Sequence, residues 1–181
     1  MSVYFMSDLH LDHKNIAKFR GVESSEQNDE MILDRLSGIL TKRDKIYLCG
    51  DNAFTVKGFE KLMSVIPKGC VVDYVIGNHD FEKDLTASYV ASKVHTLTGI
   101  AKYKHYWISH APIHSSELRG KLNIHGHTHH KLLGDGYINV CVEHTGFGVV
   151  QLENLTEFYL DQLETYYADL YQEIYNKVKT K

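Results

Sequence analysis

The strongest constraint on this chain is a pattern that occurs three times before residue 81: a short apolar run that closes on Asp or Asn. Val3–Met6 leads into Ser7-Asp8-Leu9-His10, Lys45–Cys49 into Gly50-Asp51-Asn52, and the run from Val71 to Ile76 into Gly77-Asn78-His79-Asp80. Runs of this length and apolarity predict buried strands. Helical patterns separate them: Ser25 to Leu40, with Met31, Ile32, Leu36, Ile39 and Leu40 on one face, and Lys57 to Val65, ending near Pro67. Three β-then-α units with polar strand ends describe an α/β layered fold whose polar groups gather where the strands end.

After a helix predicted over Glu82 to Lys93, the pattern changes to short strands and turns. Tyr103 to Ser109 ends at His110-Ala111-Pro112, and Leu122-Asn123-Ile124 ends at His125-Gly126-His127-Thr128-His129-His130. Tyr137 to Val142 and Gly148 to Leu152 complete a β-rich half, with turns at Gly134-Asp135-Gly136 and Gly146. The tail from Leu155 to Lys181 predicts a long helix, because Tyr159, Leu163, Tyr167, Leu170, Ile174 and Val178 recur at three- and four-residue steps. Its aromatic face is read as packing on the sheet or on another subunit; an exposed remainder would suggest a homodimer through this helix.

With 181 residues, the chain is read as a single domain over 1–181, with a core over about 1–152 and the helix over about 155–179. The amino terminus lacks a basic n-region, and no run could span a bilayer, so the expected location is cytoplasmic with no membrane partner. Cys49, Cys70 and Cys141 are odd in number and sit in or beside apolar runs, which predicts buried reduced thiols. A net charge of -3 gives no hint of a broad nucleic-acid surface. The outlier is histidine, twelve in all, and clustered.

Taken singly, each polar block has a bland reading. Gly77-Asn78 could be a turn, and Asp8 or Asp80 a cap. In order, Asp8-x-His10, Gly50-Asp51-Asn52, Gly77-Asn78-His79-Asp80, His110 and Gly126-His127-Thr128-His129 resemble the five signature blocks of the calcineurin-like metallophosphoesterases, over roughly residues 3 to 152. The opening Ser7-Asp8-Leu9-His10-Leu11-Asp12-His13-Lys14-Asn15-Ile16 further resembles small bacterial and phage enzymes of that superfamily.

The resemblance implies a four-layer α/β/β/α sandwich with two central mixed sheets and a site for two divalent cations. Chemistry of this kind needs a bridging carboxylate and mixed oxygen and nitrogen ligands, and Asp51 is the natural bridge. By the resemblance, one metal takes Asp8, His10, Asp51 and His129, and the other Asp51, Asn78, His110 and His127. Manganese is the favoured ion, with iron, zinc or nickel open. A metal-bridging hydroxide would attack phosphorus, with His79 assisting the leaving group and Asp80 orienting His79. His13, Asn52 and His114 are candidates to touch substrate. His125, His130 and His144 are read as support for the ligands or as exposed residues, and His95 and His105 as structural or exposed.

Three functions stay open. The first is a phosphodiesterase or phosphatase on a small nucleotide-like phosphoester. The second is a nuclease on DNA or RNA, which the charge does not favour. The third is a catalytically silent binding module, disfavoured because neither the ligand set nor His79 is missing.

Overall fold

The computed structural model describes residues 1–179, except the Val178 side chain; that position of the predicted stripe, with residues 180 and 181, lies outside the described residues. In chain order the elements begin β1 (Val3–Met6), α1 (Lys14–Arg20), α2 (Ser25–Leu36), β2 (Lys45–Leu48), α3 (Val56–Val65), β3 (Val71–Val75) and α4 (Ala87–Ala91). They continue with β4 (Thr96–Thr98), β5 (Ile100–Tyr103), β6 (Tyr106–Ser109), β7 (Leu122–His125), β8 (Tyr137–Asn139), β9 (Val150–Gln151) and α5 (Leu155–Lys179). No helix among them is long and apolar enough to cross a membrane.

The strands form two mixed sheets flanked by helices. The first has the order β4-β3-β2-β1-β9, parallel except at β9, and the second the order β5-β6-β7-β8, parallel except at β5. The first three strands are mostly apolar because both their faces are covered, and their two charged residues, Lys45 and Asp73, pair with each other. Tyr4, Met6, Ile46, Leu48, Val72 and Tyr74 pack with Ile32, Leu36, Phe59 and Leu62 of α2 and α3. On the opposite face Val3, Phe5, Tyr47 and Val75 pack with Ile108, Ile124 and Ile138 of the second sheet. The three cysteines are buried and free.

Register positions the site. Met6 pairs with Leu48, and Leu48 with Tyr74, so β1, β2 and β3 end level with one another. In the second sheet Ile108 pairs with Ile124, which brings the exits of β6 and β7 side by side. Ser7, just past β1, exchanges backbone hydrogen bonds with Val140 and Val142, just past β8, at 3.1 Å each. The two sheets therefore meet at the ends that carry the polar blocks.

Several boundaries differ from the sequence reading. α2 stops at Leu36, where Ser37 is extended and Gly38 has a positive φ, leaving Ile39 outside the helix and 41% exposed. The helix expected over Glu82 to Lys93 shrinks to α4, capped by Thr86. The strand expected from Tyr103 is a hairpin, β5 and β6. α1 and β4 were not foreseen; β4 is three residues long, too short for a pattern to register.

Candidate metal centre

Asp8 and Asp51 are built alike. Oδ2 of Asp8 accepts from the Ser7 hydroxyl at 2.6 Å and from the His127 amide at 2.9 Å, while its buried Oδ1 has no hydrogen-bond partner. Oδ1 of Asp51 accepts from the His79 amide at 2.8 Å, which leaves Oδ2 facing His110 Nε2 at 3.2 Å and His10 Nε2 at 3.8 Å. Each carboxylate is thus tethered by one oxygen and presents the other.

Imidazoles surround the presented oxygens. His10 Nε2, itself buried without a hydrogen bond, and His129 Nε2 both lie 3.7 Å from Asp8 Oδ1. Asn78 Oδ1 sits 3.0 Å from His110 Nε2 and 3.0 Å from His127 Nδ1. Among the described residues two groups of possible metal ligands result, Asp8 with His10 and His129, and Asp8 with Asp51 and His110. Orphaned oxygen and nitrogen atoms aimed at one another, all within reach of one ion, fit divalent cations bound by mixed ligands. Asp8, His10 and Asp51 are buried, whereas Asn78 and His127 are exposed, so the centre opens on the Asn78 side.

Close backbone approach makes this convergence possible. A Cβ at Gly77 would strike the Asp51 carboxylate and amide, and one at Gly126 would strike the Ser7 hydroxyl and the Asp8 carboxylate. Gly77 has ordinary φ, so it is needed for space and not for backbone freedom. Of the nine non-glycine residues with positive φ among the described residues, five are Asp8, His10, Asp51, His127 and His129. Strained backbone collects where side chains must turn toward a common point.

The electrostatics agree with a cation-seeking site. Burial would raise the Asp51 carboxyl, but the hydrogen bond and charge of His110 hold it below its ordinary value. Burial likewise opposes protonation of His110 and His129, yet Asp51 and Glu143 respectively raise both above the usual range. His127 is lowered by burial and then by the charge of His110. The protons drawn to His110 and His129 occupy positions that a divalent cation would take over.

Two residues outside the predicted set support the centre. Glu143 Oε1 lies 2.9 Å from His129 Nδ1, and Arg20 meets the same oxygen at 2.8 Å. Arg20 also donates to Asn28 Oδ1 and to the carbonyls of Leu9 and Asp8, tying α1 and α2 to the loop after β1. On the other side, His110 Nδ1 meets the Cys49 carbonyl at 3.1 Å. Both imidazoles are thereby held with Nε2 toward the carboxylates. Nothing local in sequence ties Glu143 to His129, and Arg20 sits in a segment without periodic signal.

The structure corrects several expected roles. Asp80 does not orient His79: its buried carboxylate accepts from the amides of Gly77, Asn52 and Asp51 and from the Tyr74 hydroxyl, at 2.7, 2.9, 3.2 and 2.6 Å. It locks the loop after β3 to the loop after β2, and burial raises its pKa. The His79 ring, half-exposed, meets Glu82 Oε1 at 2.9 Å through Nδ1 and lies 5.8 Å from the His10 ring. Asn52 is fully buried, out of reach of a substrate in solvent. His114 caps a short turn by accepting from the Ser116 amide at 3.3 Å. His13 does lie near the centre, stacked on Phe54 at 3.9 Å, with burial lowering it to about 4. Of the remaining histidines, His144 meets the His129 carbonyl at 2.8 Å, His125 is buried against Tyr137, His130 is exposed beside Phe19, and His95 accepts from the Val72 amide.

No family model matches the chain. The Gene 66 protein of Mycobacterium phage L5 is 24% identical over 184 residues, spanning 80% of this chain and 86% of that protein. Among solved structures, a protein of unknown function from Aquifex aeolicus superposes with a TM-score of 0.68 and 21% identity, covering 86% of this chain and 98% of that one. The nuclease MPE of Pseudomonas putida superposes with a TM-score of 0.50 and 16% identity, covering 70% of this chain and 61% of that one. Part of the chain therefore resembles a nuclease in fold, and its Asp and His cluster is compatible with a metal-dependent phosphoesterase.

Proposed function

We propose that the chain is a dinuclear-metal-dependent phosphoester hydrolase of the calcineurin-like metallophosphoesterase type, one domain in a four-layer α/β/β/α arrangement. It acts as a phosphodiesterase or phosphatase on a small nucleotide-like substrate. The observation that carries this reading is the convergence of Asp8, His10, Asp51, Asn78, His110, His127 and His129 from five strand-end loops, with Asp8 Oδ1 and His10 Nε2 buried and unpartnered.

Asp8, His10, Asp51 and His129 would hold one cation, and Asp51, Asn78, His110 and His127 the other. Bound divalent ions, manganese in the first instance, supply Lewis acidity toward phosphate oxygens and acidify water. The Asp51 tether to the His79 amide fixes the carboxylate with Oδ2 turned toward His110 and His10. Exposure of Asn78 and His127 leaves the phosphate an approach from solvent. His79, whose ring meets Glu82, would give a proton to the leaving oxygen.

Hydrolysis of bis(4-nitrophenyl) phosphate will require added Mn²⁺ or a similar metal and will be lost in chelator. Asp51→Asn will lower kcat about 10³-fold, equivalent to about 4 kcal/mol. His79→Ala will keep its metals and lose about 10²-fold or more. Full turnover by Asp51→Asn, or in chelator, would sink the two-metal reading. A second reading, a nuclease, is favoured by the fold shared with the Pseudomonas putida enzyme. Cleavage of single-stranded or duplex DNA faster than of any small diester would select it.

A further inference from the structure

Beside the exposed ligands runs a groove that the proposed chemistry does not use. Its first hollow, about 440 Å³, has Asn78, His110 and His127 at one end, with Ile76, Ile100 and Ile113 among its walls. Ile100 and Ile113 also line a second hollow of about 360 Å³ that reaches Trp107, with Glu117 and Arg119 at its rim. Ile100 is 47% exposed although it opens strand β5, directly opposite Ser109, the residue before His110.

Wall chemistry restricts the occupant. Among the described residues lining the first hollow, His110 and His127 are the only ionisable ones, and the cation of the groove, Arg119, stands in the second hollow beside Glu117. Ser109 is buried and donates its hydroxyl to the Ala111 carbonyl, leaving few groups to pair with a sugar's hydroxyls. What the walls can accept is a flat apolar group, and the volume is in the range of small-molecule sites.

Resting on the phosphoesterase reading, we propose that this groove is a subsite for the nucleobase of a nucleoside phosphoester, seated on Ile100 and Ile113, with the phosphate at Asn78, His110 and His127. The enzyme is thereby selective for nucleoside esters over esters whose alcohol carries no base.

Two esters with the same leaving group test this in the Mn²⁺-loaded protein: thymidine 5′-(4-nitrophenyl phosphate) and methyl 4-nitrophenyl phosphate. Wild type will favour the thymidine ester by about tenfold or more in kcat/KM, carried in KM, as expected for burying one apolar wall contact. Ile100→Asp, and independently Ile113→Asp, will lower that ratio about tenfold, whereas Leu160→Asp on α5 will leave it unchanged. A wild-type ratio near one, or a ratio preserved in both groove variants, overturns the subsite while leaving the hydrolase reading intact.

Trp107, the chain's one tryptophan, gives a readout without turnover. Thymidine, which has no phosphoester to cleave, will change its emission saturably in wild type and about tenfold more weakly in Ile100→Asp, with melting temperatures confirming that the variants fold. No emission change in wild type overturns the subsite. A saturable change with neither ester hydrolysed upholds the subsite and overturns the hydrolase reading.

Discussion

Glu143 does for His129 what the Cys49 carbonyl does for His110: it engages Nδ1 and fixes Nε2 toward the carboxylates. A charged acceptor does more than a neutral one, because it also raises the basicity of the ring. Glu143→Gln keeps the shape and removes the charge, so affinity for Mn²⁺ will fall about 10- to 100-fold in a competition titration. Unchanged affinity would reduce the contact to packing. Asp80 shows how sequence adjacency misleads at this scale. Neighbours at a strand exit point to different sides, so His79 faces the rim while Asp80 turns inward to four donors. The ligands were legible because each block repeats one chemistry at one kind of position. Glu143 and Arg20 were not, because their partners lie 14 and 123 residues away along the chain.

At the scale of elements, β1, β2 and β3 are readable because burial on both faces keeps them apolar apart from Lys45 and Asp73, which pair with each other. β4, with two threonines at the sheet edge, has no such pressure, and the stretch before α4 was overread because residues 79–86 form turns after the Asp80 lock. The far end of the same sheet is fastened by Asp44, which accepts from the Ser2 amide at 2.8 Å and from the Thr41 hydroxyl at 2.7 Å. The Thr41 hydroxyl, then the Ser2 amide, hold its carboxyl below the ordinary value. A carboxyl lowered on folding stabilises fully above its unfolded pKa of about 3.9, and that contribution is lost as pH falls through the folded value. Asp44→Asn will therefore destabilise the chain in urea at pH 7, and the gap from wild type will narrow at pH 3. A gap of constant size would show that the bonds do not depend on the charge.

The molecule as a whole packs two sheets face to face, and the candidate centre lies at the end of that packing where the strand-end loops of both converge. Ions that bind only the folded arrangement stabilise it by about 2.7 kcal/mol at a hundredfold excess over Kd, which raises Tm by about 5 to 10 °C in a chain of this size. Thermal scans with and without Mn²⁺ measure this, and an unmoved Tm would argue that no ion uses the site. Such linkage also explains why sequence conveys ligand types better than their geometry: the five loops come from both sheets, and only register brings them together. Five of the converging side chains stand on left-handed backbone, which costs an L-residue about 1 kcal/mol or more and glycine nearly nothing. Selection for heat resistance alone would thus drift these positions toward glycine, and the sturdier lineage would be blind to metal.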